Sequence, residues 1–199
     1  MGVPSTEYVE IRLSTQVRLG IPQDCLVEMT TLNRQQICPI PGVLPSLFGV
    51  VKQSGKLLWV LDLAQFLSDR LGVSPASCPI GESFPVAIIG ERLGSAQENR
   101  RPASDASDND LDRFNRRDLA CIVAGIGATH RLDPDEIRPL TSPEFSQVLD
   151  PTQIGVLKTL FSGIAWVEAG DGGSDASRSP LALLDVGALL DALQKRQPV

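Results

Sequence analysis

Residues 56–67 read KLLWVLDLAQFL, and residues 181–190 read LALLDVGALL. Both stretches are an apolar run, one aspartate, and then apolar residues at helical spacing. The run before each aspartate reads as a short buried strand, and the period changes from two to 3.6 at the aspartate. Leu63, Phe66, Leu67 and Leu71 form one face of a helix after Asp62, as Val186, Leu189, Leu190 and Leu193 do after Asp185. An aspartate there is placed to accept hydrogen bonds from the first unpaired amides of its helix, so both residues are expected as N-caps. Gly72 is positioned to end the first helix, and Lys195 and Arg196 follow the second, where cations are favoured. FGVV lies upstream of the first unit and SGIAWV upstream of the second. A chain that writes strand, strand, capped helix twice is constrained to two similar lobes.

The rest of the sequence supplies more strands. YVEIRL (8–13) and QVRLGI (16–21) alternate apolar with polar residues, and Ser14 and Thr15 between them suit a hairpin turn. CLVEM and QQICPI follow, then a connection marked by Pro39, Pro41 and Pro45. LFGVV and KLLWVL are joined by KQSG, a plausible hairpin turn, and FPVAIIGERL, LACIVAGIGATHRL and SGIAWVEA complete the set. Two stretches break the pattern. Residues 94–118 hold only Leu111 and Phe114 as large apolar side chains among Ser, Asp, Asn and Arg, and residues 169–180 (AGDGGSDASRSP) are similar. Such segments bury too little surface to offset their ordering entropy, so both read as flexible hairpin insertions.

Composition narrows function. The 199 residues suit one domain or two small lobes, and 42% hydrophobic residues with only 5% aromatics imply an aliphatic core. A net charge of −6 argues against nucleic acid, whose binding depends on Lys and Arg neutralising phosphates. No apolar stretch reaches the roughly 18 residues of a membrane span. The first residues lack a basic region followed by an apolar one, so no secretory signal is read and a cytoplasmic location is expected.

No catalytic constellation assembles. His130 is the single histidine, and Cys25, Cys38, Cys78 and Cys121 are widely and irregularly spaced, with no CxxC pair. A zinc site brings close-set ligands, so no metal or cofactor is expected and the thiols read as small buried hydrophobes. GDGG at 170–173 lacks the strand, helix and following Lys of a phosphate loop. An enzymatic or small-molecule-binding β-barrel would have to work through His130 or the thiols, and it stands as the alternative to a binding protein.

Several pieces, in order, resemble the CheW family of bacterial chemotaxis adaptors. Ile21 and LVEM (26–29) match the family's I…V-x-E-I, with one residue fewer between Val27 and Glu28. PSLFGVVKQSGKLLWVLDL (45–63) matches P…G-V-x-N-L-R-G-x-x-x-P-V-x-D-L, with Trp59 in place of the proline and Ser54 in place of the arginine. Residues 137–139 match the family's I-R-P, and Ala124 stands where the family has aspartate. Residues 163–190 match its last Gly-Ile strand, second strand and aspartate-capped helix.

The resemblance implies a mainly β fold: two SH3-like β-barrels packed together, with short capping helices. It covers residues 7–193, with the first barrel mainly 22–83, the second mainly 84–165, terminal segments completing the barrels, and 94–118 as a flexible insertion. It implies a non-enzymatic signalling adaptor and scaffold of a two-component system, coupling chemoreceptors to a CheA-type histidine kinase in a chemotaxis-like pathway serving flagellar taxis or pilus motility. The implied partners are the kinase's regulatory domain and the chemoreceptor cytoplasmic tip. The implied partner-binding residues are Val27, Glu28, Val50 and Ser54, with no catalytic residues.

Overall fold

The computed structural model describes residues 5–14, 17–72, 81–91, 117–140, 151–168 and 178–194. In chain order the elements are β1 (Thr6–Arg12), β2 (Arg18–Pro22), β3 (Leu26–Asn33), β4 (Leu47–Gln53), β5 (Lys56–Asp62), α1 (Leu63–Leu71), β6 (Ser83–Gly90), β7 (Asp118–Ile122), β8 (Gly125–Leu132), α2 (Pro151–Leu160), β9 (Phe161–Glu168), β10 (Arg178–Leu184) and α3 (Val186–Gln194). They form two five-stranded sheets of order β3-β6-β7-β5-β4 and β8-β1-β2-β10-β9.

The two sheets match strand for strand. Each contains one parallel pair, β5 with β7 and β10 with β2, among antiparallel neighbours. Each curls into a small barrel in the same way, because the segment after its first edge strand returns to bridge the opposite edge. Cys38 and Val50 exchange backbone hydrogen bonds of 2.8 and 2.9 Å, and Arg138 and Ile164 do the same at 2.8 and 2.9 Å. A 3-10 turn with a capping box precedes each bridge, Asn33 with Gln36 in one barrel and Asp133 with Glu136 in the other. Where those strands cross, a side chain has no room: a Cβ on Gly163 would lie 2.8 Å from the Arg138 carbonyl oxygen, and one on Gly49 would run into the Cys38 carbonyl.

The duplicated phrase has the expected structure. In both copies a hairpin, β4–β5 or β9–β10, feeds a capped helix. Asp62 Oδ1 accepts from Gln65 N at 2.9 Å and Asp185 Oδ1 from Ala188 N at 2.9 Å. Gly72 ends α1 in the left-handed region at φ 64°. The second unit is threaded differently, however. The N-terminal hairpin β1–β2 fills the places that β6 and β7 fill in the first unit.

That threading moves the barrel boundary away from the sequence division at 83/84. Strands β6 and β7 pair inside the first sheet, and the second is built from β8–β10 with β1 and β2. The run LACIVAGIGATHRL is likewise not one strand. It breaks at Val123 and Ala124, where the chain passes from one sheet to the other. The expected insertion 94–118 lies outside the described residues except at its end, where Arg117 and Asp118 are placed and Asp118 opens β7. QQICPI forms the 3-10 turn Arg34–Gln36 and an isolated bridge at Cys38 in place of a full strand.

The described residues form three apolar cores. Leu32, Val51, Leu58, Val60, Phe84 and Val86 fill the first barrel. Tyr8, Leu132, Ala165, Val167, Leu181 and Leu183 fill the second. Between the barrels lies a third core of Ile11, Leu19, Leu61, Phe66, Ile89, Cys121, Leu184 and Leu189, among others. Central strands therefore bury both faces, which is why β5 and β10 read as nearly continuous apolar runs. The helices seal the third core and cap one another. Arg70 of α1 donates to the Ala192 carbonyl of α3 at 3.2 Å, and Gln153 of α2 donates to the Leu71 carbonyl of α1 at 3.1 Å.

Candidate functional site

The first barrel presents two patches. At the start of β3 the pairing with β6 slips between Leu26 and Glu28, so Val27 is a bulge residue. Adjacent strand residues normally point to opposite faces. The bulge re-aims them, and both Val27, at 46% exposure, and Glu28 are exposed. The shortened spacing of Val27 and Glu28 in the sequence is thus matched by a local irregularity that keeps an apolar and an acidic side chain together at the surface.

Ser54 belongs to the other patch. With φ 47° at Ser54 and 79° at Gly55, the β4–β5 turn has positive φ at both central residues, the geometry whose twist suits a two-residue hairpin. Val50, on β4, is half-buried, and its backbone is committed to Cys38. Four of the sequence-derived site residues are therefore on one barrel but at different edges. Glu28 pairs with Ile88 on β6, whereas Ser54 joins β4 and β5 at the far side of the strand order. No hydrogen bond or ion pair among the described residues links them.

Next to the turn is a groove the sequence did not single out. It has a volume of about 540 Å³ and runs between β5 and α3. Leu47, Leu57 and Trp59 line one wall and Leu190 and Leu193 the other, with Gly55 at the rim. Leu57 is 70% exposed, the most exposed of the large apolar residues described. Burying such a leucine against a partner contributes on the order of 1–2 kcal/mol. The charges around the groove are already paired. Lys56 Nζ lies 2.9 Å from Asp118 Oδ2, and Arg117 bonds to Glu91, Asp191 and Gln194. A partner presented to this groove meets an apolar surface flanked by neutralised charge. Leu58 and Val60 point into the barrel, so the strand's alternation turns Leu57 out of it.

The groups that would carry chemistry are occupied otherwise. Glu10, 2% exposed, sits in the second barrel where the first has Ile88. It accepts from Arg18 Nη1 at 3.0 Å and Arg12 Nε at 3.2 Å, and His130 Nε2 is 3.4 Å away. Arg18 also donates to Ser179. His130 therefore belongs, with Arg12 and Arg18, to the side chains gathered around the buried Glu10 carboxylate. Cys25 and Cys121 are buried, and burial pushes the Cys121 thiol far up from its ordinary value. Cys38 is exposed at the barrel closure, and Cys78 lies outside the described residues. Among the described residues, no three His, Cys, Asp or Glu side chains group as metal ligands. No described helix is long and apolar enough to cross a membrane.

Two curled sheets of matching strand order share one apolar core, are sealed by capped helices, and leave apolar side chains exposed at the β3 edge and in the groove beside β5. The chain belongs to the CheW family: the CheW-like domain matches residues 7–194. Its fold is similar to that of the scaffolding protein TtCheW from Thermoanaerobacter tengcongensis, with a TM-score of 0.58 and 16% identity over 99% of each chain. No curated protein matches the chain in sequence.

Proposed function

We propose that this protein is a non-catalytic scaffold of a chemotaxis-like signalling pathway, coupling chemoreceptors to a CheA-type histidine kinase. The observation that carries the reading is the CheW-like match across residues 7–194. The described surface agrees with it. An adaptor needs two docking surfaces, and the β3 edge and the groove between β5 and α3 are two such surfaces.

Val27 and Glu28 at the β3 edge supply the surface for the kinase's regulatory domain, while the Ser54 turn lies beside the groove. That partner is expected to share the barrel architecture, so edge and hairpin residues of two like faces pack against each other. The groove between β5 and α3 takes the apolar face of the receptor's helical tip. Standard interfaces bury about 800 Å² per partner, which one barrel face supplies. Both partners work at the inner face of the membrane, and the protein acts there from the cytoplasm.

Size-exclusion of the purified chain with a CheA regulatory domain, and separately with a receptor-tip fragment, tests the reading. Co-elution with each is expected. The enzymatic alternative through His130 has no observation in its favour, because that side chain faces Glu10, whose carboxylate is already held by two arginines.

A further inference from the structure

The two barrels share a strand order but draw on the chain differently. All five strands of the first sheet lie between Leu26 and Ile122, and the core inside that barrel, from Leu32 to Ile122, comes from the same stretch. The second sheet inserts β1–β2 between β8 and β10, and its core brings Tyr8 together with Leu132, Ala165, Val167, Leu181 and Leu183. The cause is threading. In the first barrel the pair β6–β7 follows α1, which ends at Leu71, and begins at Ser83. The equivalent pair of the second barrel lies ahead of β3 instead. A 3-10 turn, Gln23–Cys25, tethers it to that strand of the other sheet.

We propose that the hairpin β1–β2 is a closing strap: the first barrel forms from its own contiguous stretch, and the second is completed afterwards, when the strap docks between β8 and β10. The strap has its own ladder of five residue pairs and a turn in which Leu13 N donates to the Val17 carbonyl at 2.9 Å. Its parallel seam with β10 is short. Leu19 pairs with Ala182 and Gly20 with Leu183, whereas the equivalent seam of β5 with β7 holds four pairs. The fit is close, since a Cβ on Gly20 would lie 2.7 Å from Leu183 Cδ2. That seam closes a loop of about 160 residues against about 60 for β5 with β7, which on chain entropy alone makes closure roughly fourfold less probable.

Side chains from four strands meet only once the strap is seated. Glu10 of β1 accepts from Arg18 of β2 at 3.0 Å and lies 3.4 Å from His130 Nε2 of β8, and Arg18 donates to Ser179 of β10. This cluster latches both flanks of the strap at once and fixes its register. Ile11, Leu19 and Ile21 of the strap join the core between the barrels, which also holds Leu61, Phe66 and Ile89. The first unit and its helix therefore supply the apolar surface on which the strap settles. Chains of this length commonly fold through such part-formed states.

The test refolds the full chain from urea and follows amide protection by pulsed hydrogen exchange with mass spectrometry, for wild type, Val60→Ala and Glu10→Gln. In wild type, β6 and β7 are expected to gain protection before β1, β2 and β10, with half-times separated by at least the roughly fourfold factor of loop closure. Val60 lies in the core inside the first barrel, so Val60→Ala should delay both sheets. Glu10→Gln should leave the protection of β6 and β7 at the wild-type rate and delay or weaken that of β1, β2 and β10 alone. Simultaneous protection of the two sheets in wild type would overturn the proposal, as would protection of β1, β2 and β10 ahead of β6 and β7. Equal slowing of both sheets by Glu10→Gln would overturn it too. The wild-type time course decides by itself if either variant fails to fold.

Discussion

Asp62 and Asp185 hold the same position in two copies of one hairpin–helix unit, each accepting a 2.9 Å hydrogen bond from the amide three residues on. Their surroundings differ. Asp62 is 3% exposed, whereas Asp185 is exposed. Replacing either by alanine removes an N-cap and is expected to lower stability by about 1 kcal/mol in urea titrations. Equal stability of wild type and Asp185→Ala would contradict the capping role.

The buried copy adds a pH dependence. Desolvation raises the Asp62 carboxyl above the ordinary 3.8, the Gln65 and Ala64 amides lower it in part, and Asp69 raises it further. A native carboxyl that keeps its proton longer than the unfolded one stabilises the fold most at low pH. Its contribution is lost as pH rises from 3.8 through the raised native value. Asp62→Asn keeps an acceptor for the cap without the charge. It is expected to remove that downward slope and, near neutral pH, to be more stable than Asp62→Ala. The check is unfolding free energy against pH for the three proteins.

Glu10 neutralises Arg12 and Arg18 at the end of the second barrel. Glu10→Ala leaves Arg18, with 17% side-chain accessibility, without its carboxylate, and a loss of about 3 kcal/mol is expected. Gly127 lies against Glu10 so closely that an added Cβ would meet the carboxylate. Gly127→Ala should therefore destabilise wild type and have a smaller effect in the Glu10→Ala background, a non-additivity that thermal unfolding measures.

Barrel closure depends on Gly49 and Gly163. Gly49 has φ 138° and faces the Cys38 carbonyl, and Gly163 faces the Ile137 side chain and the Arg138 carbonyl, whose backbone cannot swing aside. Alanine at either position is expected to lower stability by at least about 2 kcal/mol. A melting temperature unchanged in Gly49→Ala would contradict the closure geometry.

Much of this architecture was legible in the sequence. The aspartate-capped phrases, the KQSG turn and most strands follow from periodicity and cap chemistry. The threading did not, because pairing of β1–β2 with β10 and β8 is non-local, and no local pattern tells a strand which sheet will take it. A second repeat also escaped notice: Asn33-to-Pro39 and Asp133-to-Pro139 are equivalent turn-and-bridge segments, both ending in Ile-x-Pro. Helix α2 was not read at all, since Gly155 in its middle weakens its helical signal.

The site was legible in part. Val27 and Glu28 are exposed side by side at the β3 bulge, and Ser54 is not joined to them. Leu57 was hidden within a run that reads as uniformly buried, and its exposure appears only once β5 lies at the margin of the groove. Glu10 was hidden by its alternating context, which reads as an outward-facing position on a half-exposed strand.

The most direct test of the adaptor function is calorimetric titration of the purified chain against a CheA regulatory domain, for wild type and Glu28→Lys. Saturable binding is expected for wild type. Glu28→Lys is expected to weaken it by about 1–3 kcal/mol while its own melting temperature stays near wild type, because the side chain is exposed in the free protein. Absence of binding by folded wild-type protein would contradict the coupling function, and equal affinity of the two proteins would remove Glu28 from the interface.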